Sequence, residues 1–514
     1  MRSTLFSTSA FLLFTLIPTG VFSQTPFSFD FLKQRAGNLA KRPCQPTPPV
    51  APVLAGLNYD QYRAIRPAEA GGLWKDEQLP FRVEFHHAGY LFTKPVRFYL
   101  IDEKNIARPL EFDPAFFDYS NLVLEDEFDP AKSGAYAGFR ILHPLHADEG
   151  GGYDEIGSFL GASYFRLVGR GQRYGISARG LALNVVHPTE REEFPDFVEF
   201  WIKKPQASPG FLEVYALLDS PSVTGAYHFK IRPGSSTSAE TRVQLNFRKK
   251  VDSVGLAPLT SMFWFGENST ENSFPDWRPE VHDSDGLLFR TWNDEVVWRP
   301  LYNHRLIRYS FFNTPDPKGF GLMQRDRDFQ NYQDLTATYH RVPSAWIEPK
   351  GKWGEGSVAL VELPTDVEAH DNIVSFFQPG TSPSPGEPYD YAYTVSKKLE
   401  DEAELSADRV TATRIGQIRE YPDTRRFVVD FCGPGISSIP ADGPVFAEIT
   451  SSANGYITEN QCYKNVVTDG WRIEFKLDTD SGNRDPVELR CFLKNSTTNQ
   501  ILSETWSYQW SPSI

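Results

Sequence analysis

A short polar segment at residues 363–374 carries the residue types that acid–base chemistry needs. It contains Asp366, Glu368, His370 and Asp371 within six positions. Cleaving a glycosidic bond takes one carboxyl that stays protonated as a general acid and a second group that activates water from the other side. Carboxyls as close in sequence as Glu368 and Asp371 resist ionising together, so one of them would keep its proton towards neutral pH. Acidic segments of this kind are also common as solvated turns.

A second stretch, residues 261–301, mixes aromatic and acidic side chains. Sugar rings offer an apolar face for stacking and a rim of hydroxyls for hydrogen bonds, so Trp beside Asp and Arg suits a sugar-binding cleft. The tryptophans of this stretch are Trp264, Trp277, Trp292 and Trp298. Taken singly, each is more often a core residue. Their density beside Asp283 and Asp285 favours a cleft, with Trp277, Arg278 and Asp285 as candidate substrate-binding residues.

The sequence contains none of the motifs of nucleophile-elbow hydrolases, zincins or P-loop enzymes. His143 and His146, followed by Asp148 and Glu149, have the residue types of a metal site. Pro144 within that spacing, and the glycines after it, favour a mobile loop instead. We therefore predict no metal and no cofactor.

Composition favours strands. Aromatic residues make up 14% of the 514 residues, and only 3 are Met. A chain of this length exceeds one ordinary hydrophobic core, so two domains are expected. The formal net charge of −14 argues against nucleic acid or an anionic membrane as partner, since both reward clustered Lys and Arg.

The N-terminus is typical of a secretory signal peptide. Arg2 precedes an apolar run from Leu5 to Leu16, and Ser23 stands before Gln24, so we assign residues 1–23 to the signal. The run is too short to span a bilayer, and no later stretch is long enough, so no membrane insertion is expected. The absence of a twin arginine favours the Sec route.

The remaining chain alternates apolar and polar residues with period two, which indicates β-strands. Residues 24–398 are expected to form a large antiparallel β-sandwich interrupted by long loops at 119–180 and 260–345. A charged run follows at 397–408, within which residues 399–408 are taken as a linker, and 409–514 are expected to form a small immunoglobulin-like sandwich. Ser28 is expected to cap a short helix that ends before Pro43, and a second helix is expected near residues 58–63. Four cysteines leave two alternatives open, a disulfide among the last three or free thiols; they are Cys44, Cys432, Cys462 and Cys491.

Several long motifs, in order along the chain, resemble the family of periplasmic glucan biosynthesis proteins G and D (OpgG and OpgD, also called MdoG and MdoD). The motifs are Phe159–Arg166, Tyr174–Gly180, Asp276–Leu287, Gln324–Phe329 and Glu368–Val374. The resemblance covers essentially the whole chain after the signal. It implies a Gram-negative periplasmic protein that helps to make osmoregulated glucans with a β-1,2-linked glucose backbone. It also implies an all-β fold, with a large supersandwich-like domain joined to an immunoglobulin-like one.

Members of this family act as anomer-inverting β-1,2-glucanases, and some relatives transfer glucan chains. By position in its motif, Asp371 matches the general acid, and Asp283 matches the acid that activates water through a relay. Glu368 and Tyr339 match substrate-contacting positions. This chain has Ala369 and His370 where the family loop reads Thr-Asn.

The resemblance leaves three activities open. The first is an inverting glucanase that trims β-1,2-glucan, and the second is a transglycosylase. The third is a scaffold that holds nascent glucan for an inner-membrane synthase.

Overall fold

The computed structural model describes residues 26–511 except 125–127, 186, 208–209, 270–275, 400–407, 481 and 483–484. The predicted signal peptide lies outside these residues. Most of the predicted linker, 399–408, also lies outside them, so the domain boundary stays a prediction.

Helices are short and few among the described residues. The α-helices are α1 Phe29–Ala40, α2 Pro52–Ala55, α3 Tyr59–Ala64, α4 Pro130–Ser133, α5 Phe329–Tyr332 and α6 Pro434–Ser437. Three 3-10 turns span Pro114–Phe116, Ala147–Glu149 and Tyr339–Arg341. Ser28 caps α1 by accepting the Phe31 N–H, and Asn58 forms a capping box with Gln61 at α3, so both predicted helices are confirmed.

Strands make up most of the described structure. The first are β1 Arg66–Pro67, β2 Arg82–His87, β3 Arg97–Ile101, β4 Ala107–Leu110, β5 Phe117–Asp118, β6 Tyr136–His143, β7 Asp154–Leu160, β8 Tyr164–Leu167, β9 Ser177–Arg179 and β10 Leu181–Leu183. Next come β11 Asp196–Lys203, β12 Leu212–Asp219, β13 Val223–Arg232, β14 Ser238–Phe247, β15 Val254–Ser261, β16 Phe263–Phe265, β17 Val281–His282, β18 Gly286–Arg290, β19 Val296–Pro300, β20 Arg308–Asn313 and β21 Gly319–Met323. The last are β22 Ser344–Lys350, β23 Gly356–Glu362, β24 Ile373–Pro379, β25 Pro388–Lys398, β26 Arg409–Ile418, β27 Tyr421–Cys432, β28 Val445–Ser451, β29 Gly455–Asn465, β30 Gly470–Thr479, β31 Val487–Asn495 and β32 Thr505–Trp510. The all-β prediction is confirmed.

Two large sheets dominate the fold. A ten-stranded sheet has the order β2-β6-β7-β8-β9-β15-β24-β23-β20, with β10 also paired to β15. A fourteen-stranded sheet has the order β28-β31-β32-β19-β18-β21-β22-β25-β14-β13-β12-β11-β3-β4. Neighbours are antiparallel except at β3–β11 and β19–β32, which pair in parallel.

The largest hydrophobic core combines side chains of both sheets. Phe139 on β6 and Phe159 on β7 contact Phe200 on β11, with ring centroids 5.1 and 5.6 Å apart. Such aromatic contacts hold the two sheets face to face, because buried rings contribute both area and favourable edge-to-face geometry.

The C-terminal strands are tied directly to the rest of the chain. A four-stranded sheet, β26-β27-β30-β29, shares a second core with β31 and β32. In turn β32 pairs with β19, so the fourteen-stranded sheet continues across the predicted domain boundary. The second core also takes Leu288, Trp298, Met323 and Trp346 from β18, β19, β21 and β22.

Two expectations about loops are wrong. Residues 119–180 contain β6 to β9, and residues 260–345 contain β16 to β21. The reason is burial on both faces: β18 places Leu287 and Phe289 in the large core and Leu288 in the second core. A strand covered on both sides is apolar throughout and shows no alternation. The four cysteines are free thiols, which decides between the two alternatives.

Candidate active site

The acidic segment at 363–372 is the loop of a β-hairpin between β23 and β24, whose last pair is Glu362 and Ile373. Asn372 anchors the end of this hairpin loop. Its side-chain N–H groups donate to the carbonyls of Phe263 (2.9 Å) and Leu363 (3.0 Å), and its oxygen accepts the Phe263 N–H (2.8 Å). The side chain of Asn372 is buried, so these bonds are protected from water and fix the neighbouring Asp371.

Asn303 holds the start of the same loop. It donates to the carbonyl of Thr365 (2.7 Å) and accepts the Thr365 N–H (3.1 Å). The Thr365 hydroxyl lies 3.2 Å from Nδ1 of His370 and donates to the Val367 carbonyl at 2.9 Å. Side-chain hydrogen bonds of Asn303 and Asn372 therefore hold both ends of this loop, which its polar sequence alone could not show.

Asp371 has an electropositive surrounding. Although it remains accessible to solvent, the protein around its carboxyl raises its pKa above the usual range, and the charges of Arg166 and Arg179 partly offset that rise. Arg179 is buried, donates to Glu192 at 2.7 Å and lies over the ring of Tyr164 at 5.1 Å. Tyr164 and Arg166 lie on β8 and Arg179 lies on β9, both in the ten-stranded sheet.

Asp283 follows β17 and is half-buried, with its N–H donating to the Met262 carbonyl at 2.9 Å. Burial, together with the negative charge of Asp371, raises the pKa of Asp283 to about 7, against the opposing charges of Arg166, His282 and Lys397. The structure therefore brings Asp283 and Asp371, 88 positions apart in sequence, within electrostatic reach of each other. In the free protein burial therefore shifts both carboxyls towards their protonated forms.

Glu368 has a different environment from Asp371. Both terminal nitrogens of the Arg278 guanidinium donate to it, at 3.0 and 2.7 Å, and the Tyr339 hydroxyl donates to its Oε1. The hydrogen bond from Arg278 lowers the pKa of Glu368, and so does the one from Tyr339. Glu368 is thus held as a carboxylate, which is unsuited to donating a proton.

Arg278 is the centre of this network. It also binds Asp276 through two bonds of 2.9 and 2.8 Å and Asp334 at 2.9 Å. The guanidinium consequently lies among three carboxylates, and its planar fork fixes their relative positions. The predicted residues Arg278, Glu368 and Tyr339 are brought together.

The tryptophans divide between site and core. Trp277 is 70% exposed and lies next to Arg278, whose guanidinium is 6.0 Å from its ring. Trp298 is buried in the second core and Trp264 packs against the large core. Trp292 is exposed, but it follows the far end of β18 from Asp285. Of the four, Trp277 alone offers a free ring beside the acidic network.

The carboxylate of Asp285 points elsewhere. Its Oδ2 accepts the N–H groups of Arg325 (2.9 Å) and Asp326 (3.1 Å), and it lines a cavity beneath residues 410–413. The structure does not place it against Arg278, Glu368 or Tyr339.

Three further residues border Asp283, and sequence reasoning gave them no role. Arg166 donates to Ser177 Oγ at 2.7 Å and acts on both acids. Lys397 is buried and donates to the Ile176 carbonyl at 2.5 Å; burial lowers its pKa to about 7. A Cβ at Gly175 would lie 2.9 Å from Asp283 Oδ1, so only glycine allows this close approach. Arg166 and Gly175 lie in the motifs that carried the family resemblance, which was the available signal.

The residues around His143 and His146 have ordinary partners. His143 contacts the Pro80 carbonyl at 2.7 Å, and His146 contacts Asp154 at 2.9 Å. Asp148 and Glu149 both bind Arg170.

Comparison with known proteins identifies the family of this chain. The family model described as periplasmic glucan biosynthesis protein, MdoG, matches residues 27–510. Glucans biosynthesis protein G of Ralstonia nicotianae is 42% identical over 496 residues, covering 95% of this chain and 96% of that protein. The protein of the same name from Pseudomonas paraeruginosa is 40% identical over 522 residues, covering 99% and 96%.

The chain belongs to the family of periplasmic glucan biosynthesis proteins. A collagen adhesin from S. aureus matches 52% of this chain and 86% of its own at 6% identity, with a TM-score of 0.12, which is too low to inform the fold. Across the described residues, no helix has the length and apolar character needed to cross a membrane.

Proposed function

We propose that this protein is an anomer-inverting glycoside hydrolase that acts on the β-1,2-glucan backbone in the periplasm. One observation carries the proposal. Two carboxyls from separate segments, Asp371 and Asp283, sense each other's charge beside a third that is held ionised by Arg278. Carboxyls on separate segments can leave the space of roughly 6.5–9.5 Å that an inverting reaction needs for its water.

In the proposed reaction the bond between the anomeric carbon and the linking oxygen breaks. Asp371 gives its proton to that oxygen. A water molecule attacks the anomeric carbon from the opposite face and passes a proton towards Asp283, so the β-linkage yields an α-configured end. Because burial raises the pKa of both carboxyls in the free protein, glucan binding has to leave Asp371 protonated and Asp283 ionised.

Substrate positioning falls to the network around Arg278. Glu368 and Tyr339 offer hydrogen-bonding groups, and Trp277 offers an exposed ring on which a sugar can stack. Such fixed polar groups beside an aromatic face are typical of sites for neutral, hydroxyl-rich ligands.

Two alternatives share this cleft. The word biosynthesis in the relatives' names favours a role in which the protein transfers glucan chains, or holds nascent glucan for an inner-membrane synthase without cleaving it. We also propose export by the Sec route through the signal at residues 1–23.

The test is chain shortening of linear β-1,2-glucan by the purified mature protein. The expected result is shortening by the wild type and a loss of at least a hundredfold in Asp371→Asn and in Asp283→Asn. Asp366→Asn is the matched control, since Asp366 is an exposed acid in the same loop.

Unchanged chains, or equal shortening by wild type and Asp371→Asn, would rule out the hydrolase. Glucan binding that survives in Asp371→Asn, with no shortening by the wild type, would identify the scaffold. Longer products at constant reducing-end count would identify the transferase.

A further inference from the structure

Behind β17, which precedes Asp283, lies a cavity of about 30 Å³. It is bounded on one side by residues 410–413 of the C-terminal region and on the other by Trp298 and Arg325. Its acidic and histidine lining residues are Glu267, Glu280, His282, Asp285 and Asp326. The partners of these groups have to be identified, because buried charges are normally paired.

The orientation of His282 is fixed from outside this group. The imidazole is fully buried, and its Nδ1 lies 2.8 Å from Oε1 of Gln324. The amide nitrogen of Gln324 donates to the carbonyls of His282 (2.8 Å) and Tyr339 (3.4 Å), so its oxygen must face the ring. Nδ1 of His282 therefore carries the proton, as in a metal-ligating histidine with an orienting partner.

Nε2 of His282 then faces an acceptor. It lies 2.9 Å from Oε2 of Glu280. One oxygen of Asp326 completes a group of three ligand atoms that all lie within 4.8 Å of one another. Because Nδ1 of His282 donates to Gln324, the lone pair of Nε2 faces the carboxylates of Glu280 and Asp326. This arrangement calls for a positive charge between the three groups.

Within the described residues, neither Glu280 nor Asp326 forms an ion pair with Lys or Arg. Two neighbouring guanidiniums are engaged elsewhere: Arg325 binds Glu504 at 2.7 Å, and Arg414 binds Glu267 and Asp430. Three potential ligand atoms therefore meet without a Lys or Arg side chain paired to Glu280 or Asp326 among the described residues.

We infer that Glu280, His282 and Asp326 form a binding site for one divalent transition-metal ion of the zinc type. An imidazole nitrogen with carboxylate oxygens suits Zn²⁺ or Mn²⁺ better than Ca²⁺ or Mg²⁺, which prefer oxygen ligands alone. Water in the cavity would complete the coordination. The role is structural, because the ion would tie β17, and hence Asp283, to the segment that contains Asp326.

The experiment uses the tag-free mature protein, stripped by a chelator and titrated with Zn²⁺ at neutral pH, with the bound metal counted by mass spectrometry. The expected result is one equivalent per chain, at least tenfold weaker in Glu280→Gln and in Asp326→Asn. Glu362→Gln is the matched control, because Glu362 forms the other buried His–carboxylate contact, with His304, at 3.4 Å. Binding should also weaken as the pH falls, since a proton competes for Nε2.

No stoichiometric binding, or binding that both variants keep, would overturn the inference and leave a proton as the occupant. A second measurement needs no variant: crystals of the wild type soaked in Zn²⁺ should show an anomalous peak within bonding distance of His282 Nε2. A soaked crystal without that peak contradicts the site. Neither measurement involves glucan, so its outcome is independent of the proposed hydrolase.

Discussion

At the scale of single residues, Arg278 gives the acids of the hairpin loop different properties. It binds Glu368 through two short bonds and keeps it ionised, whereas Asp371 has no such contact and is shifted towards its protonated form. One loop thereby supplies a fixed anion for binding and a proton for chemistry.

Replacing Glu368 by Gln tests the binding role. The change removes the charge that Arg278 and Tyr339 both contact, and charge-assisted hydrogen bonds contribute about 1.5–3 kcal/mol each. We expect KM for β-1,2-glucan to rise by roughly tenfold or more, with a smaller change in kcat. Glu348→Gln, in an exposed pair with Lys350, should leave both constants unchanged. A loss confined to kcat would contradict the binding role.

The raised pKa of Asp283 predicts a pH-dependent stability. The folded protein binds this proton more tightly than the unfolded chain does, so the ionised form is destabilising, and stability falls as the pH rises from about 4 through 7. Asp283→Asn should therefore stabilise the protein at pH 8, on the order of 2 kcal/mol after allowing for partial access of water, and very little at pH 4. Urea unfolding at both pH values measures this. A gain that does not grow with pH would show that Asp283 titrates normally.

The sequence identified the acidic residues of the site but not all of the side chains that surround them. Asp371, Asp283, Glu368 and Tyr339 followed from the family motifs, and Trp277 from its aromatic surroundings. Lys397 could not be found in this way, because a lysine in a charged run is ordinarily solvent-exposed. Its burial beside Asp283 depends on how β25 pairs with β14 and β22.

At the scale of elements, the β23–β24 hairpin sets the position of Asp371. The anchor is Asn372, which forms two hydrogen bonds with Phe263 in β16 and one with Leu363 at the start of the loop. The loop thus has the rigidity that a catalytic carboxyl requires.

Asn372→Ala tests this anchoring. It leaves the Phe263 N–H and two carbonyls without their partner, and a buried polar group left unsatisfied costs about 1–3 kcal/mol. We expect a lower thermal midpoint and a loss of glucan cleavage that exceeds the loss of glucan binding. Asn313→Ala, at an exposed position on β20, is the control and should change neither. Full activity in Asn372→Ala would show that the loop is held by other contacts.

Periodicity predicted the strands that have one polar face. In β14, Ser238–Phe247, for example, buried residues alternate with exposed or half-buried ones. Periodicity failed for β15 and β21, in which every residue is buried. The residues that cover the second face of each of these strands lie in other parts of the chain. The local sequence pattern therefore could not reveal that this face is buried.

At the scale of the whole molecule, the C-terminal region is joined to the site by more than the chain. Arg325 contacts Trp298 with its guanidinium 3.6 Å from the ring and binds Glu504 at 2.7 and 3.1 Å, with both side chains nearly inaccessible. Glu504 also accepts the Val410 N–H at 2.7 Å. Asp285 accepts the Arg325 N–H. The Arg325–Glu504 pair is therefore connected, through Asp285, to the segment that carries Asp283.

Glu504→Gln should therefore destabilise the folded protein by about 3 kcal/mol, since it removes one charge of a buried ion pair. Equilibrium urea unfolding measures the change. Glu474→Gln removes an exposed pair with Arg426 and should change the free energy of unfolding by less than about 1 kcal/mol. Equal effects of the two substitutions would show that the buried pair has no special part in the junction.

The sequence could predict an all-β chain and its family, but not that β32 would pair in parallel with β19. Pairing between strands about two hundred positions apart is set by the second core, through residues such as Trp298 and Trp506. The local pattern of apolar and polar residues does not show which residues form either side of that core.

The most direct test of the account is the configuration of the reducing ends formed from linear β-1,2-glucan, followed by proton NMR within the first minutes of reaction. If Asp371 and Asp283 act on opposite faces of the sugar, new ends appear first as the α-anomer and convert to the equilibrium mixture only by mutarotation. New ends that appear first as the β-anomer, or no new ends at all, would contradict it.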